Sequence, residues 1–332
     1  MPLPPASVQV ARNAMATRFE IVLHGENPTT LRAAAEEALD EIQRLESKLS
    51  LYRPDSEIAQ LNALASKEAV RVSPELFRLL LQARKLHSET FGAFDITVGP
   101  LMKLWGFMGT QGRVPSEDEI AKVLEHTGMS NVSLDADSQS VRFLKPGVVL
   151  DLGSIGKGYA LERAAEFLRE AGITSGLLHG GTSTSYAIGS PPSSSSSTGG
   201  MPDEPWKIAI ENPQTETQPP PLLAVVPLRD AALSVSAVWG KSFIAGESTY
   251  GHVIDPRTGK PAERTLMAAV TIESPTLSDA LSTALLVLGA EGHPLIVRLQ
   301  PNARTLTYSH AKSGAASVQT NGIEVYSPKG KT

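Results

Sequence analysis

The sequence predicts an α+β protein on three observations. Period-two strand patterns and 3.6-residue helix patterns are interleaved along the chain. They do not follow a strict strand–helix–strand repetition, and there is no internal repeat. At 332 residues the chain exceeds the usual size of one hydrophobic core, so one large domain or two closely packed lobes would fit.

The elements follow in order. Residues 16–24 alternate apolar and polar side chains, which reads as a strand. Asn27-Pro28 opens a helix over 29–49, with Leu31, Ala35, Leu39, Ile42, Leu45 and Leu49 on one face. Ser73-Pro74-Glu75 starts a second helix that runs to about residue 90, with Ser as N-cap and Pro in the first turn. A short surface helix is expected over 117–126, and short strands near 131–134 and 140–144. Val148 to Asp151 reads as a buried strand that leads through a glycine-rich turn into a helix over 157–171. Leu177 to Gly181 reads as another strand. The Pro/Ser/Gly-rich stretch 190–204 cannot bury a core and is expected as a disordered surface loop inserted in one domain. Short strands resume from 206 to 273, Thr276 is expected to cap a helix over 277–289, and two or three strands finish the chain.

Composition excludes several functions. A formal net charge of −5 argues against a general nucleic-acid binder, which carries a basic excess. The absence of cysteine excludes disulfides, thiolate catalysis, zinc–thiolate sites and iron–sulfur ligation. The first residues form neither a charged n-region nor an apolar h-region. No uninterrupted apolar run of about 18 residues is evident, so no spanning helix, no membrane anchor and a cytoplasmic location are expected.

Four constellations could carry chemistry. Asp151-x-x-Ser154-x-x-Lys157-Gly158 lies between a strand and a helix. Glycines allow close backbone approach, and a helix N-terminus with a lysine suits phosphate. A tight turn with a solvated lysine is the plainer alternative. Asp279 and Thr283 stand four apart on one helical face, an oxygen-only half-site of the kind magnesium prefers; helix capping is the competing explanation. His252 leads into the turn Asp255-Pro256-Arg257-Thr258-Gly259, where a lone histidine could also be structural. Phe91 to Phe107 is aromatic and apolar around Asp95, suited to a flat ligand or to core packing with Asp95 as an N-cap.

The order of these pieces is more specific than any one of them. The series is Met15-Ala16-Thr17, Leu51-Tyr52-Arg53-Pro54-Asp55-Ser56, Gly92-Ala93-Phe94-Asp95, Asp151-Leu152-Gly153-Ser154-Ile155-Gly156-Lys157-Gly158, Gly180-Gly181, His252-Val253-Ile254-Asp255-Pro256-Arg257-Thr258-Gly259 and Asp279-Ala280-Leu281-Ser282-Thr283-Ala284. Over residues 12–290 the chain resembles the ApbE-like FAD:protein FMN transferases. The resemblance implies one ApbE-like domain over 1–332, with mixed, mostly antiparallel sheets flanked by helices in two closely packed lobes. It implies FAD held extended with Mg2+ at its diphosphate. FMN would pass to a Thr or Ser of an acceptor protein through a phosphoester, with release of AMP. Carried over by position, flavin and adenine contacts fall on Met15, Tyr52, Ala93, Phe94, Asp95, Asp151, Lys157 and His252. Magnesium falls on Ser154, Asp279 and Thr283, with Ser154 acting through its backbone carbonyl or its hydroxyl. His252 would take the acceptor's proton, with Asp255 as alternative base or orienting group.

Four places depart from the family pattern: Ala16 within Met-Gly-Thr, Leu178 to Thr182 in place of Asn-x-Gly-Gly-Asp, Glu162 for Asp, and Ser236-Ala237 for Ser-Gly. The family's acceptor pattern is approached only by Ser313-Gly314-Ala315-Ala316-Ser317, which lacks a hydroxyl at the acceptor position. Two other readings remain open from sequence: an FAD pyrophosphatase with water as acceptor, and a non-catalytic flavin-binding protein.

Overall fold

The computed structural model describes residues 5–109, 111–192, 204–213, 221–246, 248–310 and 316–326. Residues 193–203 of the expected surface loop, and 313–315 of the acceptor-like stretch, lie outside the described residues.

One eight-stranded sheet organises the chain. Its spatial order is Ala6–Ala14, Thr17–Gly25, Ser175–Gly180, Thr184–Ile188, Ala231–Ala237, Thr265–Ile272, Arg304–His310 and Ala316–Asn321. Every neighbouring pair runs antiparallel, in keeping with the α+β class. The first two strands join through Met15-Ala16, both at positive φ (49° and 58°). A two-residue hairpin turn needs that conformation to match strand twist, and glycine normally supplies it.

Three helices cover one face of the sheet. Pro28–Leu49 buries Leu31, Ala35, Leu39, Ile42, Leu45 and Leu49, the residues its periodicity selects. Its N-cap Asn27 accepts from the Thr29 and Thr30 N–H groups. The helix packs over Phe19, Ile21 and Leu23, which are fully buried. Each such side chain contributes about 1.5–3 kcal/mol by leaving water. Gly156–Glu170 and Pro275–Leu288 lie beside it in the same core. On the opposite face, the hairpin Trp206–Glu211 and Leu222–Leu228 closes a second core through Ile210, Leu223, Val226 and Leu228 against Leu233, Met267 and Tyr308. A third, smaller cluster joins Leu101, Trp105, Phe107, Ile120 and Ile254.

Several local expectations are corrected. Among the described residues, Val148 to Asp151 belongs to no strand. The Asn62 carboxamide takes over the ladder's role, accepting from Leu150 N–H and donating to Leu150 O, while Asp151 N–H donates to Ile96 O. Thr276 is not the N-cap of the late helix. Ser274 caps it by accepting from Leu277 N–H, and Pro275 occupies the first turn. Thr276 is instead buried, its hydroxyl bonded to the Glu162 carboxylate. The edge strand Ala6–Ala14 and the helices Glu57–Leu64 and Gly292–Leu299 are additional to the expected elements. By length and composition alone, the helical stretch Pro275–Leu299 is long and apolar enough to cross a membrane. Half of its most apolar segment is buried within the protein, and Ser278, Asp279 and Ser282 of the stretch are buried.

Candidate active site

A cavity of about 920 Å3 opens at the end of the central strands and wraps from the helix face of the sheet to the hairpin face. Its walls bring together segments far apart in sequence, and the contact between Gly158 and Asp279 fixes their relation.

Gly158 sits in the first turn of Gly156–Glu170, where that helix crosses Pro275–Leu288. A Cβ on residue 158 would overlap the Pro275 carbonyl oxygen and lie 2.7 Å from Asp279 Cβ. Only glycine permits this approach. The approach lets Gly158 N–H donate to Asp279 Oδ2 at 2.9 Å. Asp279 therefore caps a helix other than its own, and it is only 4% exposed. Gly158→Ala is expected to destabilise the fold by about 1–3 kcal/mol through overpacking. The check is a lower urea midpoint with an unchanged slope.

Around Asp279 the donors are hydroxyls. Thr283, one turn on, hydrogen-bonds the Asp279 carbonyl at 3.4 Å. Ser236 Oγ lies 3.2 Å from Thr283 Oγ1 and 2.8 Å from Ser282 Oγ. Ser236 directly precedes Ala237, one of the departures from the family pattern, and the sequence did not mark it as a site residue.

The glycine turn forms the facing wall. Asp151 Oδ1 accepts from Gly153 N–H at 2.8 Å, and Lys157 Nζ donates to Gly153 O at 3.3 Å. Burial pushes the Asp151 carboxyl up, while the Gly153 N–H and the charges of Lys157 and Lys241 pull the other way. The helix start is less open to anions than the sequence suggests. Gly158 N–H is taken by Asp279 and Gly156 N–H by Leu152 O. Positive charge at this wall therefore comes chiefly from the Lys157 ammonium.

His252 forms a third wall. Its Nδ1 faces the Lys241 peptide, 3.1 Å from the carbonyl oxygen and 3.3 Å from the nitrogen. The tautomer that donates to the carbonyl keeps a lone pair on Nε2. Burial lowers the His252 pKa first, and the charges of Lys157 and Lys241 lower it further, against the Lys241 backbone hydrogen bond that raises it.

Ala93, Asp95, Asp151, Ser154, Lys157, His252, Asp279 and Thr283 thus share one cavity. Asp95 spends its carboxylate on local structure. Oδ1 accepts from the N–H and hydroxyl of Thr97, both at 2.7 Å, and Oδ2 lies 3.0 Å from His87 Nδ1. That contact raises the His87 pKa. Four expected residues fall outside the lining. Met15 is in the hairpin turn, its N–H on Glu46 Oε1 at 2.7 Å. Phe94 is buried in the main core. Tyr52 is 68% exposed, near enough to Asp151 for that charge to add to burial in raising its phenol pKa. Asp255 accepts from Arg257 Nε and Nη2 at 2.8 and 2.7 Å, which commits its carboxylate to the turn.

Other lining residues carry no sequence signature. His179 Nδ1 lies 2.9 Å from Ser185 Oγ on the hairpin face, with its pKa lowered by burial. Trp239, 48% exposed, stands at the rim. His179 could have been found only as a departure from the family pattern, because strand register alone places it here.

Residues 15–306 match the ApbE family. The FAD:protein FMN transferase of Escherichia coli (strain K12) is 32% identical over 258 residues, spanning 75% of this chain and 69% of that protein. The FAD:protein FMN transferase of Treponema pallidum (strain Nichols) is 31% identical over 304 residues, spanning 89% and 83%. Among solved structures, the ApbE protein of Thermotoga maritima superposes with a TM-score of 0.82 at 30% identity, covering 94% of this chain and 96% of that one. The flavinyl transferase ApbE of Pseudomonas stutzeri gives 0.81 at 26% identity, covering 96% of each. With the family match spanning most of its length and the fold shared throughout, this chain belongs to the ApbE family.

Proposed function

We propose that this chain is a magnesium-dependent flavin transferase. It cleaves the FAD pyrophosphate, attaches FMN by a phosphoester to a Thr or Ser of an acceptor protein, and releases AMP. The observation that supports this best is the Gly158–Asp279 hydrogen bond, which seats the lysine-bearing turn and the carboxylate–hydroxyl helix in one cavity with His252.

The donor set fits magnesium. Asp279, Thr283 and the Ser154 carbonyl or hydroxyl offer hard oxygen only. Among the described residues no group of three His, Cys, Asp or Glu converges on a site. A cation here would complete its shell with water and phosphate oxygens, which is how magnesium is usually held. When bound, it would neutralise the diphosphate as negative charge builds on the departing AMP. Lys157 places a second positive charge at the same wall. His252 Nε2 takes the proton from the acceptor hydroxyl, whose own pKa is far too high for it to ionise unaided. The cavity walls position the dinucleotide, and positioning supplies much of the acceleration in phosphoryl-type transfers.

The test is incubation with FAD, magnesium and a peptide bearing the family's acceptor pattern, followed by mass spectrometry. A peptide mass gain equal to FMN, with AMP released, is the expected result. AMP release with an unmodified peptide would assign an FAD pyrophosphatase. FAD binding without AMP release would assign a flavin carrier.

A further inference from the structure

The hairpin face of the cavity has an unusual wall. Lys207, Ile208, Ala209, Ile210 and Glu211 all border it, five consecutive residues of one strand. Side chains alternate between the two faces of a strand, so a wall built on side chains would use every second residue. A wall that uses every residue presents the strand's edge, with its main-chain N–H and C=O groups. Among the described residues, Trp206–Glu211 pairs only with Leu222–Leu228. The far side of that partner strand is already engaged, through a bridge from Ala224 to Val325 and the Tyr326 N–H on Leu223 O. Of the hairpin's two edges, the one over the cavity is therefore the open one among the described residues. Open edges recruit extended chains.

The space below this edge is bounded by Leu177, His179, Ser185, Val235 and Met267, an apolar floor with one polar pair. It is continuous with the end of the cavity that holds Asp279, Thr283 and Lys157. A strand added to an edge lies about 4.8 Å from it, whereas a helix needs about 10 Å of clear width. A protein hydroxyl has to reach the phosphate end by some path, and this edge leads there.

We propose that the acceptor polypeptide docks as an added β-strand on the free edge of Trp206–Glu211, with its hydroxyl residue entering the cavity toward Asp279 and Lys157. This rests on the flavin-transferase function above. Main-chain hydrogen bonds supply affinity, and the apolar floor selects the side chains that point inward. Recognition is therefore tolerant of acceptor sequence outside the residues that face the cavity.

The test uses the intact protein and a set of acceptor peptides, each N-methylated at one backbone amide. Methylation at every second position is expected to raise the peptide KM by about fivefold, the worth of one net hydrogen bond, with little effect at the positions between. In parallel, hydrogen exchange is followed with FAD and a peptide whose acceptor Thr is replaced by Val. Alternate amides within Lys207–Glu211 are expected to gain protection when the peptide is added. Uniform tolerance of N-methylation, or no added protection of this strand, overturns the edge-docking proposal. Equal protection by FAD alone also overturns it, because the compartment would then hold the dinucleotide. FMN transfer to the unmethylated peptide, with release of AMP, serves as the control. If that is absent, the transferase function fails; if it is present, only the docking mode is at stake.

Discussion

Asp279→Ala is expected to remove at least about a thousandfold of FAD cleavage, equivalent to about 4 kcal/mol of transition-state stabilisation. The variant also leaves Gly158 N–H without an acceptor in a buried setting, at a cost of about 1–3 kcal/mol in stability. The two effects separate in Asp279→Asn. The amide oxygen still accepts from Gly158, so the fold is expected to keep nearly its full denaturant midpoint. The lost charge leaves no carboxylate to hold a cation, so activity is still expected to collapse. A magnesium titration checks this directly. An Asn variant that retains activity at the same half-saturating magnesium would place the metal elsewhere.

The second large effect concerns His252. Its removal as alanine is expected to slow transfer by about a hundred- to ten-thousandfold, the usual worth of general-base catalysis, while FAD still binds. The pH profile adds a sign. Burial and the neighbouring lysine charges lower the His252 pKa from its ordinary 6.5, so the neutral imidazole persists below that value. Only the neutral form can accept a proton. The acid limb of kcat/KM should therefore fall below pH 6.5 and disappear in His252→Ala. An acid limb unchanged in the variant would assign it to another group. Asp255 is poorly placed for that role, because Arg257 already binds its carboxylate.

Much of the helical scaffold was legible because its signals are local. In Pro28–Leu49 the six apolar positions at helical spacing are all buried, together with Ala34 and Ala38, and Asn27-Pro28 opens it as expected. Ser73 and Pro74 likewise start the second helix where they should. Mistakes arose where a local signal had two uses. Val148 to Leu150 is apolar and buried, which suits a strand, but the Asn62 side chain satisfies its backbone and no ladder forms. Thr276 matches a capping pattern, but Ser274-Pro275, two residues earlier, does the capping, and Thr276 turns inward to Glu162. The edge strand Ala6–Ala14 was hidden because Ser7, Gln9 and Asn13 face outward and Arg12 interrupts the apolar inner face formed by Val8, Val10 and Ala14. Arg12 pairs with Glu36 and Asp40 on the neighbouring helix.

By itself the sequence determined the inventory: α+β elements, the glycine turn with Lys157, the Asp279–Thr283 pair and the His252 turn, in an order that resembles one family. Periodicity, caps and motif spacing act over a few residues, so they survive reading in one dimension. Only the tertiary structure decided that Gly158 and Asp279, 121 residues apart, share a hydrogen bond, and which N–H groups the glycine turn keeps for a ligand. It also placed His179, Ser236 and the open edge of Trp206–Glu211 on the cavity. Sheet register and helix crossing set those contacts. They depend on how distant surfaces pack, and no short stretch of sequence encodes that.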